Sequence, residues 1–164
     1  MISFKQIKTD SDIDDCVTII RTAFRTVADE FGITRENVPS NPAFITSDNL
    51  KGQITKDRSF YILFNQDSAA GTIAIEKSPN EKDLYIIEKV AILSEYRHQG
   101  LGKKLMNFAE NQIKALGGNI VSVAIIYENL RLRSWYEQQG YVEHGRKKFD
   151  HLPFTVSFLQ KHLG

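Results

Sequence analysis

The sequence predicts one α/β (α+β) domain: a central mixed, mostly antiparallel sheet flanked by helices. Three observations carry this. The chain has 164 residues, a length that suits a single continuous core. Two strand-like runs, 59–65 and 69–78, are joined by the tight polar link Gln66-Asp67-Ser68, as in a hairpin. Further on, the order strand, helix, strand requires at least one parallel crossover within an otherwise hairpin-rich sheet. No internal repeat, low-complexity tract or linker interrupts residues 1–164, so they read as one domain.

The elements follow in order. Ile2 to Lys8 reads as a first strand. Asp10, Ser11 and Asp12 offer helix caps ahead of the apolar positions Ile13, Val17, Ile20, Phe24 and Val27, which recur at helical spacing. Residues 32–48 contain Pro39, Pro42 and many Asn, Ser and Thr, and read as a loop with at most a short helical turn. Ser47-Asp48 is placed to cap a helix near 50–56. After the hairpin and a turn at Ser78-Pro79-Asn80-Glu81, residues 83–93 are a near-continuous apolar run, the pattern of a strand buried on both faces. A helix over 102–116 follows, its inner face drawn from Leu105, Met106, Phe108, Ala109, Ile113 and Leu116, and Gly117-Gly118 closes it. The remaining elements are a buried strand at 120–126, a helix at 130–139 ended by Gly140, and strands at 141–148 and 155–159.

Composition removes several classes of function. The 21 basic and 20 acidic residues give a net charge of +1, without the excess that a nucleic-acid or membrane binder uses. Cys16 is the only cysteine, which rules out an internal disulfide and a cysteine-based zinc cage. His98, His144, His151 and His162 lack close metal-ligand spacing, so no metal site is expected. The amino terminus does not read as a signal peptide, and no apolar run approaches the roughly 20 residues of a membrane span. A soluble cytoplasmic protein is the expectation.

The informative segment is Arg97-His98-Gln99-Gly100-Leu101-Gly102-Lys103, between a buried strand and a helix. Glycines permit close backbone approach, and the helix start offers unpaired amides and the positive end of its dipole. Such a start suits a phosphate or pyrophosphate, and Arg97, Lys103 and Lys104 add positive charge. Two familiar phosphate loops fail on spacing. A Walker loop needs Ser or Thr after Gly-Lys, where Lys104 stands, and a glycine where Arg97 stands. A dinucleotide fingerprint needs a small residue where Leu105 stands.

The segment instead resembles the acyl-CoA-binding motif of the GNAT N-acetyltransferase superfamily, Arg/Gln-x-x-Gly-x-Gly/Ala, with Arg97, Gly100 and Gly102 in the defined positions. Two further blocks carry the resemblance. Residues 88–96 are similar to the family's fourth strand and its exit into the phosphate loop. Residues 128–141 are similar to its Asn…Tyr-Glu-x-x-Gly-Phe segment, with Asn129, Tyr136, Gly140 and Tyr141 in register.

The resemblance implies a fourth and fifth strand that run parallel and splay apart, with acetyl-CoA inserted between them as a cosubstrate. Backbone groups of Val90, Ala91 and Ile92 then pair with pantetheine, and amides from Arg97 through His98, Gln99, Gly100, Leu101 and Gly102 to Lys103 hold the pyrophosphate. An amide near Val90 or Ala91 polarises the thioester carbonyl. Tyr136 matches the family's tyrosine position as proton donor to the thiolate, against a packing role under its helix. Glu88 is the candidate base, since a carboxylate beside an apolar cleft can have its pKa raised; the alternative is a solvated strand-edge charge. Asn129 bonds to the splayed strand or cofactor, or caps the following helix. Trp135 is expected to point into the core, and Cys16 to be a small core residue. Direct attack by the amine is implied, without an acyl-enzyme.

A non-catalytic acyl-CoA-binding module of the same fold stands as the alternative, and a longer acyl donor as a variant of the enzyme. The acceptor is a small-molecule or peptide amine: a protein amino terminus or lysine, polyamine, amino acid or aminoglycoside. Asp29, Glu30 and Glu36 flank the 32–48 loop and would make an acidic pocket for a cation, or else a solvated surface. Arg146, Lys147 and Lys148 read as a solvated strand edge or a contact for the adenosine 3′-phosphate. A homodimer is compatible with the family, and no residue specifies one.

Overall fold

The computed structural model describes all 164 residues, Met1–Gly164. The chain order is β1 (Ile2–Gln6), α1 (Asp10–Glu30), a 3-10 turn at Pro42–Phe44, α2 (Ser47–Gln53), β2 (Arg58–Asn65), β3 (Ser68–Lys77), β4 (Leu84–Ile92), a second 3-10 turn at Ser94–Tyr96, α3 (Leu101–Ala115), β5 (Ile120–Ile126), α4 (Leu130–Glu137), β6 (Val142–Lys148) and β7 (Thr155–His162). One seven-stranded sheet runs β1-β2-β3-β4-β5-β7-β6. Every neighbouring pair is antiparallel except β4–β5, whose connection through α3 makes the parallel crossover.

Local chemistry sets the helix boundaries, with some corrections to the sequence reading. Thr9, not Asp10, Ser11 or Asp12, caps α1. Its hydroxyl accepts the Asp12 amide, and the Asp12 carboxylate accepts the amides of Lys8 and Thr9. The Lys5 ammonium donates to Asp12 at 2.8 Å, and this bond with those amides holds the carboxyl well below the usual carboxylate range. Thr46 with Asn49 plays the same part for α2, in place of Ser47-Asp48. At the end of α3, Gly117 takes φ +91° and the Gly118 amide donates to the Ile113 carbonyl at 2.9 Å. The last strand continues three residues beyond Leu159, to His162.

The two faces of the sheet carry separate cores. Leu105, Met106, Ala109 and Ile113 of α3 are fully buried against Ile73, Ile75, Ile87, Val121, Val123 and Leu159. On the opposite face Ile13, Val17 and Ile20 of α1 pack on Phe60, Ile62 and Ala74. Each fully buried side chain of this size contributes about 1.5–3 kcal/mol. Leu116, expected on the inner face of α3, is 63% exposed because it lies at the cap, past the last packed turn. Residues 32–48 are tied down by a third small cluster. Ala28, Ile33, Val38 and Ala43 gather with Phe24, Phe31, Phe44, Ile126, Leu152 and Phe154, joining this loop to the β6–β7 connection.

Strand β4 departs from the expected strand buried on both faces. Leu84, Tyr85 and Ile87 are buried, whereas Ile86, Glu88, Lys89, Val90 and Ile92 are only half-buried. On β5, Ala124 is exposed although the strand lies inside the sheet. Both departures have one cause, the opening of the seam between these strands.

Candidate functional site: an open seam between two parallel strands

Strands β4 and β5 pair at three positions only: Leu84 with Ile120, Tyr85 with Val121 and Ile86 with Ser122. Beyond these, β4 stays with β3 while β5 follows β7 as far as Ile126 opposite Val156. From Ile87 to Ile92 the edge of β4 facing β5 therefore has no strand partner. Such an edge can pair with an extended ligand that carries amides. The gap is a cavity of about 700 Å³ that reaches both faces of the sheet, touching Ala23, Phe24 and Val27 on one side and Leu101, Gly102, Trp135 and Tyr136 on the other.

A β-bulge shapes the open part of β4. Thr72 stands opposite Ala91 and Ala74 opposite Glu88, so β4 spends one more residue than β3 across this step. Lys89 absorbs it with φ +54°, a conformation that non-glycine residues rarely adopt. The buried Thr72 hydroxyl donates to the Lys89 carbonyl at 2.9 Å and fixes the bulge. Gly71 is required beside it, since a Cβ there would lie 2.6 Å from the Ala91 carbonyl oxygen.

The seam leads to the start of α3. His98 (φ +62°) and Gly100 (φ +77°) are left-handed, and Gly100 as N-cap supplies no side-chain cap. The first-turn amides of Leu101, Gly102 and Lys103 thus lack the usual side-chain partner and carry the positive end of the helix dipole. Arg97 brings its positive charge to this cavity and is also an anchor. Its Nε donates to the Ile92 carbonyl at 2.9 Å and an Nη to the Ala23 carbonyl at 3.4 Å, binding the loop to β4 and α1.

Val90, Ala91, Ile92, Arg97, His98, Gly100, Leu101, Gly102, Lys103, Asn129, Tyr136 and Glu88 all line the cavity. Gln99 does not; it is exposed, and its side chain donates to the Glu95 carbonyl at 3.4 Å. Leu101 contributes backbone only, since its side chain is in the core. Asn129 lines the cavity and also caps α4, accepting the Leu132 amide at 3.2 Å.

Tyr136 is buried on the cavity wall, edge-on to Trp135 (4.9 Å) and Tyr141 (5.5 Å), and its hydroxyl makes no hydrogen bond within the protein. Burial pushes this phenol well above the ordinary 10.0, so it holds its proton. Glu88 lies beside the largely apolar cavity as expected, but it is also ion-paired. Its carboxylate lies 3.1 Å from Arg58 Nε and 3.8 Å from Lys89 Nζ, and Arg58 also pairs with Glu76.

Sequence reasoning missed three parts. Trp135 packs half-buried against the core as expected, but it also forms part of the cavity wall, and a Cβ on Gly102 would come within 2.9 Å of its ring. The aromatic next to the matched tyrosine was the available signal. Arg58, whose partners Glu76 and Glu88 lie on two other strands, and Thr72 left none. The acidic pocket does not form: Asp29, Glu30 and Glu36 are exposed and outside the cavity. Arg146, Lys147 and Lys148 are exposed on the edge strand β6, with Arg146 bonded to Glu143. No three His, Cys, Asp or Glu side chains gather to hold a metal, and no helix is long and apolar enough to cross a membrane.

The site is thus a parallel pair opened along its length that leads into an uncapped, glycine-led helix. Residues 22–141 match the family model described as acetyltransferase (GNAT) family. The chain belongs to that family. An uncharacterized N-acetyltransferase in the pepI 3′ region of Lactobacillus delbrueckii subsp. lactis is 26% identical over 146 residues, covering 80% of each chain. Among solved structures, PaiA N-acetyltransferase of Thermoplasma acidophilum in complex with coenzyme A superposes with a TM-score of 0.79 at 17% identity, covering 99% of each chain. The ribosomal-protein-S18-alanine N-acetyltransferase of Escherichia coli gives a TM-score of 0.78 at 13% identity, over 100% of this chain and 95% of that one.

Proposed function

We propose that this protein transfers the acetyl group of acetyl-CoA to a primary amine by direct attack. The observation that supports it most is the alignment of the open β4 edge with the uncapped start of α3, with the Tyr136 hydroxyl on the wall of the same cavity. In this reading amides from His98 to Lys103 take the pyrophosphate, and the edge from Ile87 to Ile92 pairs with the pantetheine amides. A backbone amide at Val90 or Ala91, aimed by the bulge, polarises the thioester carbonyl. Holding both reactants in the cleft supplies much of the rate through orientation.

The chemistry is one exchange. The amine nitrogen bonds to the thioester carbon, Glu88 takes the nitrogen's proton directly or through water, and the C–S bond breaks as Tyr136 protonates the thiolate. Cys16 is no candidate for an acyl-enzyme. It is buried in the α1 core, and burial, followed by the charge of Asp15, pushes its thiol up to about 12.

Calorimetric titration with acetyl-CoA, with desulfo-CoA and ATP as controls, tests the donor site. Saturable binding of both CoA species and not of ATP is expected; no binding of either sinks the reading. Binding without turnover on any amine would leave an acyl-CoA-binding module in its place.

A further inference from the structure

The acceptor side of the cavity has a chemistry of its own. Its walls are mostly apolar: Phe24 and Val27 of α1, Pro42 of the following loop, Ile126 of β5, Phe154 and Val156. The exposed Ala124 leaves floor space among them. This surface suits an apolar body, and it offers no set of carboxylates for a polycation.

The charged groups are concentrated at the bulge. Glu88 and Lys89 are consecutive residues whose charged ends lie 3.8 Å apart, on the stretch of β4 that lines the cavity. Glu88 has Arg58 as partner, but Lys89 has little else. Its side chain is only 14% exposed, and its ammonium donates no hydrogen bond, with the Glu88 carboxylate its one charged neighbour. An ammonium so poorly paired at the wall of a mostly apolar cavity is free to take a further acceptor.

We infer that the acceptor is a free α-amino acid with an apolar side chain. Its amine stands against Glu88, its carboxylate against Lys89, and its side chain against Phe24, Pro42 and Phe154. The neighbouring opposite charges of the bulge thus meet the neighbouring opposite charges of the ligand. This rests on the acetyltransferase reading above and keeps its chemistry: N–C forms, C–S breaks, and the amine proton leaves toward Glu88. Lys89 is then a specificity residue, acting on acceptor binding.

The test measures release of the CoA thiol from acetyl-CoA with L-phenylalanine and L-leucine, against L-phenylalaninamide, phenethylamine and spermidine. The amino acids should exceed the compounds lacking a carboxylate by roughly 10- to 100-fold in kcat/KM, the value of one charge-assisted pair. Lys89→Met should shrink that gap to about unity by raising KM for the amino acid, and Lys89→Arg should restore part of it. Equal use of phenylalanine and its amide, or preference for spermidine, overturns the inference. Calorimetry separates the two levels: acetyl-CoA bound and a different amine acetylated removes this inference alone, whereas no acetyl-CoA binding removes both.

Discussion

The proposed donor and acceptor sides of this cleft are built by different means. On the donor side the ligand-facing groups are backbone: the unpartnered edge of β4, and the uncapped amides of Leu101, Gly102 and Lys103. On the acceptor side they are side chains from α1, the 32–48 loop, β4, β5 and the segment from Phe154 to Val156. A backbone site needs small residues and unusual dihedrals, so it leaves a short local signature. A side-chain site is assembled by tertiary packing and can change residue by residue without disturbing its counterpart.

Perturbations can break that contrast or sharpen it. The largest effect is expected from Gly100→Asp. It forces a side chain into φ +77° and puts a negative charge at the helix start, so acetyl-CoA binding should vanish from calorimetry while the fold survives. Retained binding would show that the donor side does not depend on backbone there.

Tyr136→Phe comes next, with kcat lowered roughly 100-fold and the dissociation constant for acetyl-CoA within about threefold, as befits a group acting on the leaving thiolate. Because the folded-state phenol is raised above its ordinary 10.0, the wild-type rate should climb as the amine loses its proton. It should then show no falling limb below pH 10.0 from loss of the tyrosine proton. A falling limb there that disappears in Tyr136→Phe would contradict the raised value.

Thr72→Val removes the donor to the Lys89 carbonyl while keeping the shape, costing about 1–2 kcal/mol at the bulge. An expected drop of roughly tenfold in kcat, with little change in CoA affinity, would tie the bulge to thioester orientation. Normal kcat would leave Thr72 a packing residue. The smallest effect is set for Gly102→Ala. Its Cβ presses on Trp135, so a stability loss of about 1 kcal/mol in denaturant is expected, with a severalfold weaker CoA titration. No change in either would mean that Trp135 gives way freely.

The same contrast explains what was legible in the sequence. Strand and helix order followed from period and punctuation, and Gly100 and Gly102 marked the glycine-led start of α3 because both fall within a few residues. The bulge at Lys89 was hidden, since it exists only in the register between β3 and β4 and depends on Thr72. Arg58 was hidden for a similar reason: β2, β3 and β4 must be laid side by side before Glu76 and Glu88 share its guanidinium. Thr9 took the cap from Asp10 and Asp12 because Asp12 was needed to complete the box from inside the helix. The cavity-facing side of Trp135 was hidden because helical spacing gives its direction toward the core, while the open seam decides that it also borders a cleft.

The three-position seam also has a mechanical side. Strands β1 to β4 and strands β5 to β7 are two half-sheets with little direct ladder between them, so a cosubstrate lying along both edges would act as mortar. Ligand held by the native state alone at a hundredfold excess over its dissociation constant adds about 2.7 kcal/mol of stability. The protein's resistance to unfolding and proteolysis would then follow the supply of its own donor, stiffening when acetyl groups are plentiful and loosening when they run short.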